Sequence, residues 1–76
     1  MSWVNVNDAW CEALFVSDLQ RSDAPDPAAL AERASAAVRR FGVRGCASRM
    51  AQQFGEHPEV AADRMRWVRE LVTARR

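Results

Sequence analysis

The clearest helical pattern of apolar residues covers residues 27–41. Apolar side chains recur there at intervals of three and four residues, which places them on one face of a helix. They are Leu30, Ala34, Ala37, Val38 and Phe41. Asp26 and Pro27 are typical of a helix start, because aspartate caps free backbone N–H groups and proline at the first helical position loses no hydrogen bond. Gly42 is typical of a helix end because it takes the left-handed conformation at little cost.

A second pattern begins at Pro58 and predicts a helix over 58–74. Its apolar stripe consists of Ala61, Met65, Val68 and Val72, broadened by Val60, Trp67 and Leu71. Acidic residues lie in the early part of this segment and arginines at its end, an arrangement that suits the helix dipole.

A weaker helical pattern predicts a helix over 8–20. Its apolar residues are Cys11, Leu14, Phe15 and Leu19, with Trp10 beside them. The end of this helix has an alternative, since Ser17 and Asp18 can instead cap a separate short turn. Residues 1–6 read as an irregular lead-in, and residues 21–26 read as a loop.

A short helix over 46–54, between Gly45 and Gly55, completes the set. The segments predict an all-α fold, a compact bundle of about four helices in one domain spanning residues 1–76, with no β-sheet. The composition agrees, because fourteen alanines and eleven arginines favour helix, whereas isoleucine and tyrosine, which favour strands, are absent. The predicted core consists of Leu14, Phe15, Leu30, Val38, Phe41, Met50, Phe54, Met65, Val68 and Leu71.

The charges are divided unevenly along a chain whose net charge is only +1. Residues 1–32 carry six acids and one arginine, whereas residues 33–76 carry ten arginines and four acids. Either the two parts pack together and compensate, or the arginines form a basic face for an acidic partner. Arginine and tryptophan are enriched at binding hot spots, so they supply the candidate partner or nucleic-acid contacts. The candidates are Arg39, Arg40, Arg44, Arg49, Arg64, Arg66, Arg69 and Trp3.

The residues that could carry chemistry are few. Cys11, Cys46 and His57 are the soft metal-ligand types, and they lack the close paired spacing of zinc ligands. We predict that both cysteines are buried apolar residues, with a reactive Cys46 thiol near Arg44 and Arg49 as the alternative. His57 precedes a proline, which favours a capping or turn role. The sequence has no phosphate-binding loop, nucleophile elbow or paired-carboxylate pocket, so we predict no cofactor, no metal and no enzymatic activity.

Targeting signals are also missing from the sequence. The N-terminus lacks the basic residues and the long apolar run of a secretory signal, and no apolar stretch approaches the ~20 residues of a membrane helix. We therefore expect a cytoplasmic protein with reduced thiols and no membrane partner.

Residues 50–60 resemble the first helix and turn of a helix-turn-helix. The resemblance rests on a small residue, Ala51, four positions before a turn glycine, Gly55. That family also expects apolar residues about six and nine positions past the glycine, where this chain has Ala61 and Arg64. The resemblance implies DNA binding through the helices at 46–54 and 58–74, with the second helix in the major groove. Phosphates would be repelled by the acids at the start of that second helix, which are Glu56, Glu59 and Asp63.

Two functions remain open from the sequence. The first is a small non-enzymatic protein–protein interaction or regulatory module, in which the acidic first helix region meets the arginines of a second copy or of another protein. The second is a small helix-turn-helix-like DNA-binding regulator. Small size, polarised charge and spare aromatic residues favour the first.

Overall fold

Three α-helices and one short 3₁₀ helix make up the part of the chain that the computed structural model describes, residues 6–74 with side chains from Asp8 onward. Helix α1 covers Val6–Val16, α2 covers Pro27–Glu56 and α3 covers Pro58–Ala74, with the 3₁₀ helix at Arg21–Asp23. No strand occurs between residues 6 and 74, which confirms the all-α class. None of these helices combines the length and apolarity needed to cross a membrane.

The prediction of about four helices is wrong, because its second and third helices are joined in α2. Residues 43–45, which separate the two predicted helices, are helical, and the only interruption within α2 is Gly42, with φ 75° and ψ 165°. This conformation is essentially restricted to glycine and differs in ψ from the predicted left-handed one. One residue therefore kinks the helix without a connecting loop. We call residues 27–41 the first limb of α2 and residues 43–56 the second limb.

Helix α1 is shorter than predicted at its C-terminal end. The hydroxyl of Ser17 donates to the carbonyl of Leu14 (2.6 Å) and accepts from the N–H of Leu19 (3.2 Å). A serine side chain that binds backbone groups in this way competes with helical hydrogen bonds. Helix α1 thus ends before Ser17, but the short 3₁₀ helix that follows is capped by Gln20 and not by Ser17 or Asp18. At the other end α1 already includes Val6, and the rest of the predicted lead-in lies outside the described residues.

The predicted helix starts are confirmed at α2 and α3. Asp26 accepts a hydrogen bond from the N–H of Ala29 at 2.8 Å, as an N-cap does. His57 is the single residue between α2 and α3: its N–H donates to the carbonyl of Gln53 (2.7 Å), and its own carbonyl accepts from Ala61 (2.8 Å). The backbone of His57 therefore ends one helix and begins the next.

Helix α1 lies at the centre of the fold and packs against both α2 and α3. The buried apolar residues are Cys11, Ala13, Leu14, Phe15, Leu19, Leu30, Ala34, Ala37, Cys46, Ala61, Met65, Val68 and Val72. Phe15 also stacks on Phe54 of the second limb, with ring centroids 5.7 Å apart. The prediction that Val38 belongs to the core is wrong, because this residue is exposed. Four other predicted core residues are only partly buried: Phe41, Met50, Phe54 and Leu71.

Candidate interaction surface

Four of the described arginines are engaged in ion pairs on the surface. The shortest pair of each arginine is Arg33–Asp18 (2.6 Å), Arg21–Asp63 (2.6 Å), Arg66–Asp63 (3.4 Å) and Arg69–Asp8 (3.5 Å), and Arg33 also lies 3.9 Å from Asp23. Most of them join residues 1–32 to residues 33–76. They support the interpretation that the negative charge of the first part is compensated by the positive charge of the second. Exposed pairs of this kind stabilise a protein by at most about 1 kcal/mol each. Two of the candidate contacts, Arg66 and Arg69, already have carboxylate neighbours through these pairs.

Arg64 is another candidate contact, and its side chain is partly buried against the end of α1. Its Nε donates to the carbonyl of Phe15 (2.8 Å), and a terminal nitrogen lies 3.1 Å from the carbonyl of Ser17 and 3.3 Å from that of Leu14. These carbonyls lie at the C-terminal end of α1, where backbone acceptors lack helical partners. Arg64 therefore caps α1 from the neighbouring helix α3.

The surroundings of Arg64 are unusual for an arginine. Burial, and secondarily the positive charge of Arg21, lower the pKa of its guanidinium. An arginine nevertheless stays protonated in proteins, so the charge is retained. The guanidinium also lies 5.8 Å from the ring centroid of Phe15 and 5.7 Å from that of Trp67, within the range of a cation–π contact.

A second group of arginines surrounds the kink of α2 and has no such partners. We call Arg39, Arg40, Arg44 and Arg49 the kink arginines. All four are exposed, and within residues 8–74 none has a carboxylate at ion-pair distance. The positive charge that remains uncompensated in this part of the chain is thus concentrated at the kink.

Two of the kink arginines meet on one aromatic ring. The guanidinium carbon of Arg49 lies 4.0 Å from the ring centroid of Phe41, and that of Arg40 lies 5.0 Å from it. Phe41 is the last residue of the first limb, and the kink at Gly42 brings Arg49 of the second limb onto it. We call these three residues the Arg–Phe–Arg cluster. The other two lie apart from it: Arg39 lines a hollow beside Trp10, and the Arg44 side chain makes no hydrogen bond, ion pair or ring contact within residues 8–74.

A cleft of about 400 Å³ opens next to this cluster. It lies where the end of α1, the second limb of α2 and the start of α3 meet. Its lining consists of Phe15, Val16, Ser17, Arg49, Gln52, Gln53, Val60, Ala61 and Arg64. Arg49 belongs to both the cleft and the cluster.

The expectation that Val60 broadens the packed stripe of its helix is wrong, because its side chain is 69% exposed.

The cysteines are packed as predicted. Cys11 and Cys46 are both free thiols and both buried. Burial raises the pKa of each thiol; at Cys46 the carboxylate of Glu12 adds to this rise, and Arg49 opposes it only in part. The alternative of a Cys46 thiol activated by its arginine neighbours is therefore wrong. In the described residues, no three His, Cys, Asp or Glu side chains are grouped so that they could hold a metal ion.

The sequence identified the arginines of this surface but not the cleft beside them. Val16, Gln52, Gln53 and Val60 line the cleft and carried no signal of their own, because a cleft depends on how three helices meet. Arg40 next to Phe41 was visible as a neighbouring pair, but the stacking of Arg49 depends on the kink. Trp3 lies outside the described residues.

Comparison with protein-family models, with curated proteins and with solved structures finds no match to this chain.

Proposed function

We propose that this chain is a non-enzymatic protein-interaction module whose Arg–Phe–Arg cluster binds an acidic segment of another protein. The observation that carries the proposal is the contrast between the two groups of arginines. Five are engaged within the fold by carboxylates or carbonyls, whereas the kink arginines are exposed without a carboxylate neighbour in residues 8–74. Its free, buried thiols are consistent with the cytoplasm as the proposed location.

Stacking on Phe41 prepares the two guanidinium groups for binding. An arginine held over an aromatic face keeps its N–H donors at the edge of the guanidinium plane, where they can bind a carboxylate in a bidentate manner. Because the side chains are already held in place, less conformational entropy is lost when the ligand binds. A flexible, unstacked arginine lacks this advantage.

Two acidic residues near the first helix are already engaged by arginines of the same chain. Asp8 and Asp18 already pair with Arg69 and Arg33 of their own chain. A second copy would have to break these pairs before its acidic first helix region could reach the cluster. The proposal therefore names a foreign acidic protein as the partner and not a homodimer.

The proposal is tested with a labelled short peptide of alternating glutamate and serine, measured by fluorescence anisotropy. We expect the variant R40A/R49A to bind about tenfold more weakly than the wild type, since each lost charge-assisted contact contributes on the order of 1 kcal/mol. The matched control R66A/R69A removes the same charge from arginines that are already paired, and it should bind almost as the wild type does. Equal losses in both variants, or no binding by the wild type, would contradict the proposal.

The second candidate function is DNA binding by a helix-turn-helix formed by the second limb and α3. Such motifs join their helices by a turn of three or four residues, whereas His57 alone separates α2 from α3 here. The acids that precede and begin α3 are exposed, and two of them, Glu56 and Glu59, have no arginine at ion-pair distance within residues 8–74. A gel shift with random duplex DNA at low salt tests this function. Binding that falls steeply with salt and is lost in R44A/R49A would favour DNA over an acidic protein.

A further inference from the structure

We infer that the acidic segment carries a phosphorylated side chain, whose phosphate group enters the cleft beside Arg49. This inference rests on the proposed function and specifies the ligand of the same surface as a segment that contains phosphoserine. It follows from the charge of the cleft and from the placement of its hydrogen-bond donors.

The cleft is polar and positively charged. Its polar lining residues are Ser17, Arg49, Gln52, Gln53 and Arg64. No carboxylate is among the lining residues, so the two arginines give the cleft two positive charges. A glutamate of the ligand balances one of these charges, whereas a phosphorylated serine carries a charge of about −1.5 to −2 at pH 7. A phosphate group therefore matches the charge of the cleft better than a single carboxylate does.

The second limb of α2 presents donors to the cleft from one face. Arg49, Gln52 and Gln53 share this face, because the glutamines follow the arginine by three and four residues. Arg49 is held over Phe41 and has no carboxylate at ion-pair distance within residues 8–74. Gln52 donates to Glu56 (3.1 Å), whereas the amide of Gln53 has no hydrogen-bond partner in the same part of the chain. Arg49 and Gln53 are thus the donors available to a ligand.

Helix α3 adds positive charge to the cleft through Arg64. The Nε and Nη2 atoms of this residue bind carbonyls at the end of α1, but Nη1 has no acceptor within residues 8–74. Because Arg64 is partly buried, its charge is screened by water less than that of an exposed arginine, and it attracts an anion in the cleft more strongly.

The donors of the cleft therefore come from two helices, the second limb of α2 and α3. A phosphate group has three acceptor oxygens in a tetrahedral arrangement, so it can accept from donors that lie on different sides. A carboxylate has two oxygens in one plane, an arrangement that suits a single arginine. The phosphate group is thus the acidic group that can use both helices at once.

The test compares two labelled peptides of about the same charge. Both contain alternating glutamate and serine; in one the central serine is phosphorylated, and the other carries two additional glutamates instead. We expect the wild type to bind the phosphopeptide about tenfold more tightly at about pH 7.5, because the phosphate gains charge-assisted hydrogen bonds that the glutamates cannot make together. Fluorescence anisotropy measures both affinities.

Two variants of the second limb show whether the preference arises in the cleft. Q53A removes the unpaired amide but leaves the Arg–Phe–Arg cluster intact. It should reduce the preference to about threefold or less, while its affinity for the glutamate peptide stays the same. The control S48A removes an exposed polar group of the same limb, outside the cleft, and should keep the preference. Alanine favours helix, so we expect both variants to fold.

The outcomes separate this inference from the proposed function. If both peptides bind the wild type equally, or if Q53A keeps the full preference, the inference is overturned while charge-based binding by the cluster stands. If neither peptide binds the wild type, or if random duplex DNA binds it more tightly than the phosphopeptide does, the proposed function and the inference are both overturned. A preference for the phosphopeptide that falls in Q53A and is retained in S48A supports both.

Discussion

At the scale of single residues, Arg64 makes the most contacts between separate parts of the described chain. Its guanidinium binds carbonyls at the end of α1 and lies against two aromatic rings. The sequence contained a signal for this role, since position 64 falls between Ala61 and Val68 on the buried stripe of α3. An arginine on a buried stripe is expected to have specific polar partners, whereas charge alone suggested a surface contact.

Removal of the Arg64 guanidinium should destabilise the fold. We expect R64M, which keeps much of the aliphatic side chain, to lower the free energy of unfolding by about 2–3 kcal/mol, because half-buried carbonyls lose charged donors. The control R66A removes an exposed arginine of the same helix and should change it by less than about 0.5 kcal/mol. Urea denaturation followed by circular dichroism measures both. Similar losses in the two variants would contradict the capping role.

The cysteines make the stability sensitive to alkaline pH. Burial raises the pKa of both thiols, so the unfolded chain loses these protons at a lower pH than the folded one. The resulting stabilisation is complete below about pH 8.5 and is lost as the pH rises further. The chain has no lysine and no tyrosine, so no other side chain titrates just above this pH.

Urea denaturation between about pH 8 and 10 tests this expectation. The free energy of unfolding of the wild type should fall with pH in this range. The variant C11A/C46A should be less stable at neutral pH but should show a flatter profile. A wild-type profile as flat as that of the variant would show that the thiols ionise equally well in the folded protein.

At the scale of elements, the kink of α2 decides how the two limbs are arranged. Its position was predictable, because Gly42 follows a helical pattern in the sequence. Its geometry was not, because a helix end and a one-residue kink both favour glycine. The same limitation applies to α1, where the serine hydroxyl of Ser17 ends the helix before the apolar pattern does.

The kink should depend on the backbone of Gly42 alone. A Cβ atom added there meets no atom within 4 Å, so G42A introduces no clash but forces alanine into a conformation that favours glycine. We expect a loss of about 1–3 kcal/mol in the free energy of unfolding. The control G55A also meets open space, at a residue without positive φ, and should be neutral or slightly stabilising. Thermal denaturation compares the two variants. Equal losses of stability would show that the positive φ of Gly42 is not the cause of the loss in G42A.

At the scale of the whole molecule, charge has two separate roles. The ion pairs of Asp8, Asp18 and Asp63 lie across the surface of an apolar core, whereas the kink arginines remain available to a ligand. Salt should therefore affect binding more than stability. Raising sodium chloride from about 0.05 M to about 0.5 M should weaken peptide binding about tenfold or more, while the free energy of unfolding changes by less than about 1 kcal/mol. A parallel decline of both would indicate that the ion pairs hold the fold together.

The sequence predicted the helical class and the main helix starts, because Asp26, Pro27 and Pro58 act locally. It did not predict which side of a stripe is buried: Ala37 is in the core, while its neighbour Val38 is exposed. For the candidate site, too, the local features were predictable and the tertiary contacts were not. The kink arginines were visible as a cluster in the sequence, but the pairing of Arg69 with Asp8 required residues near opposite ends of the chain to meet.

The central position of α1 has a consequence for the order in which the protein can fold during synthesis. This helix is made first, yet its apolar residues are covered by both later helices, and its C-terminal carbonyls are bound by Arg64. A ribosome-bound chain that ends before α3 therefore exposes part of the surface of Leu14 and Phe15. Cooperative folding therefore has to wait until α3 has left the exit tunnel and can pack on α1.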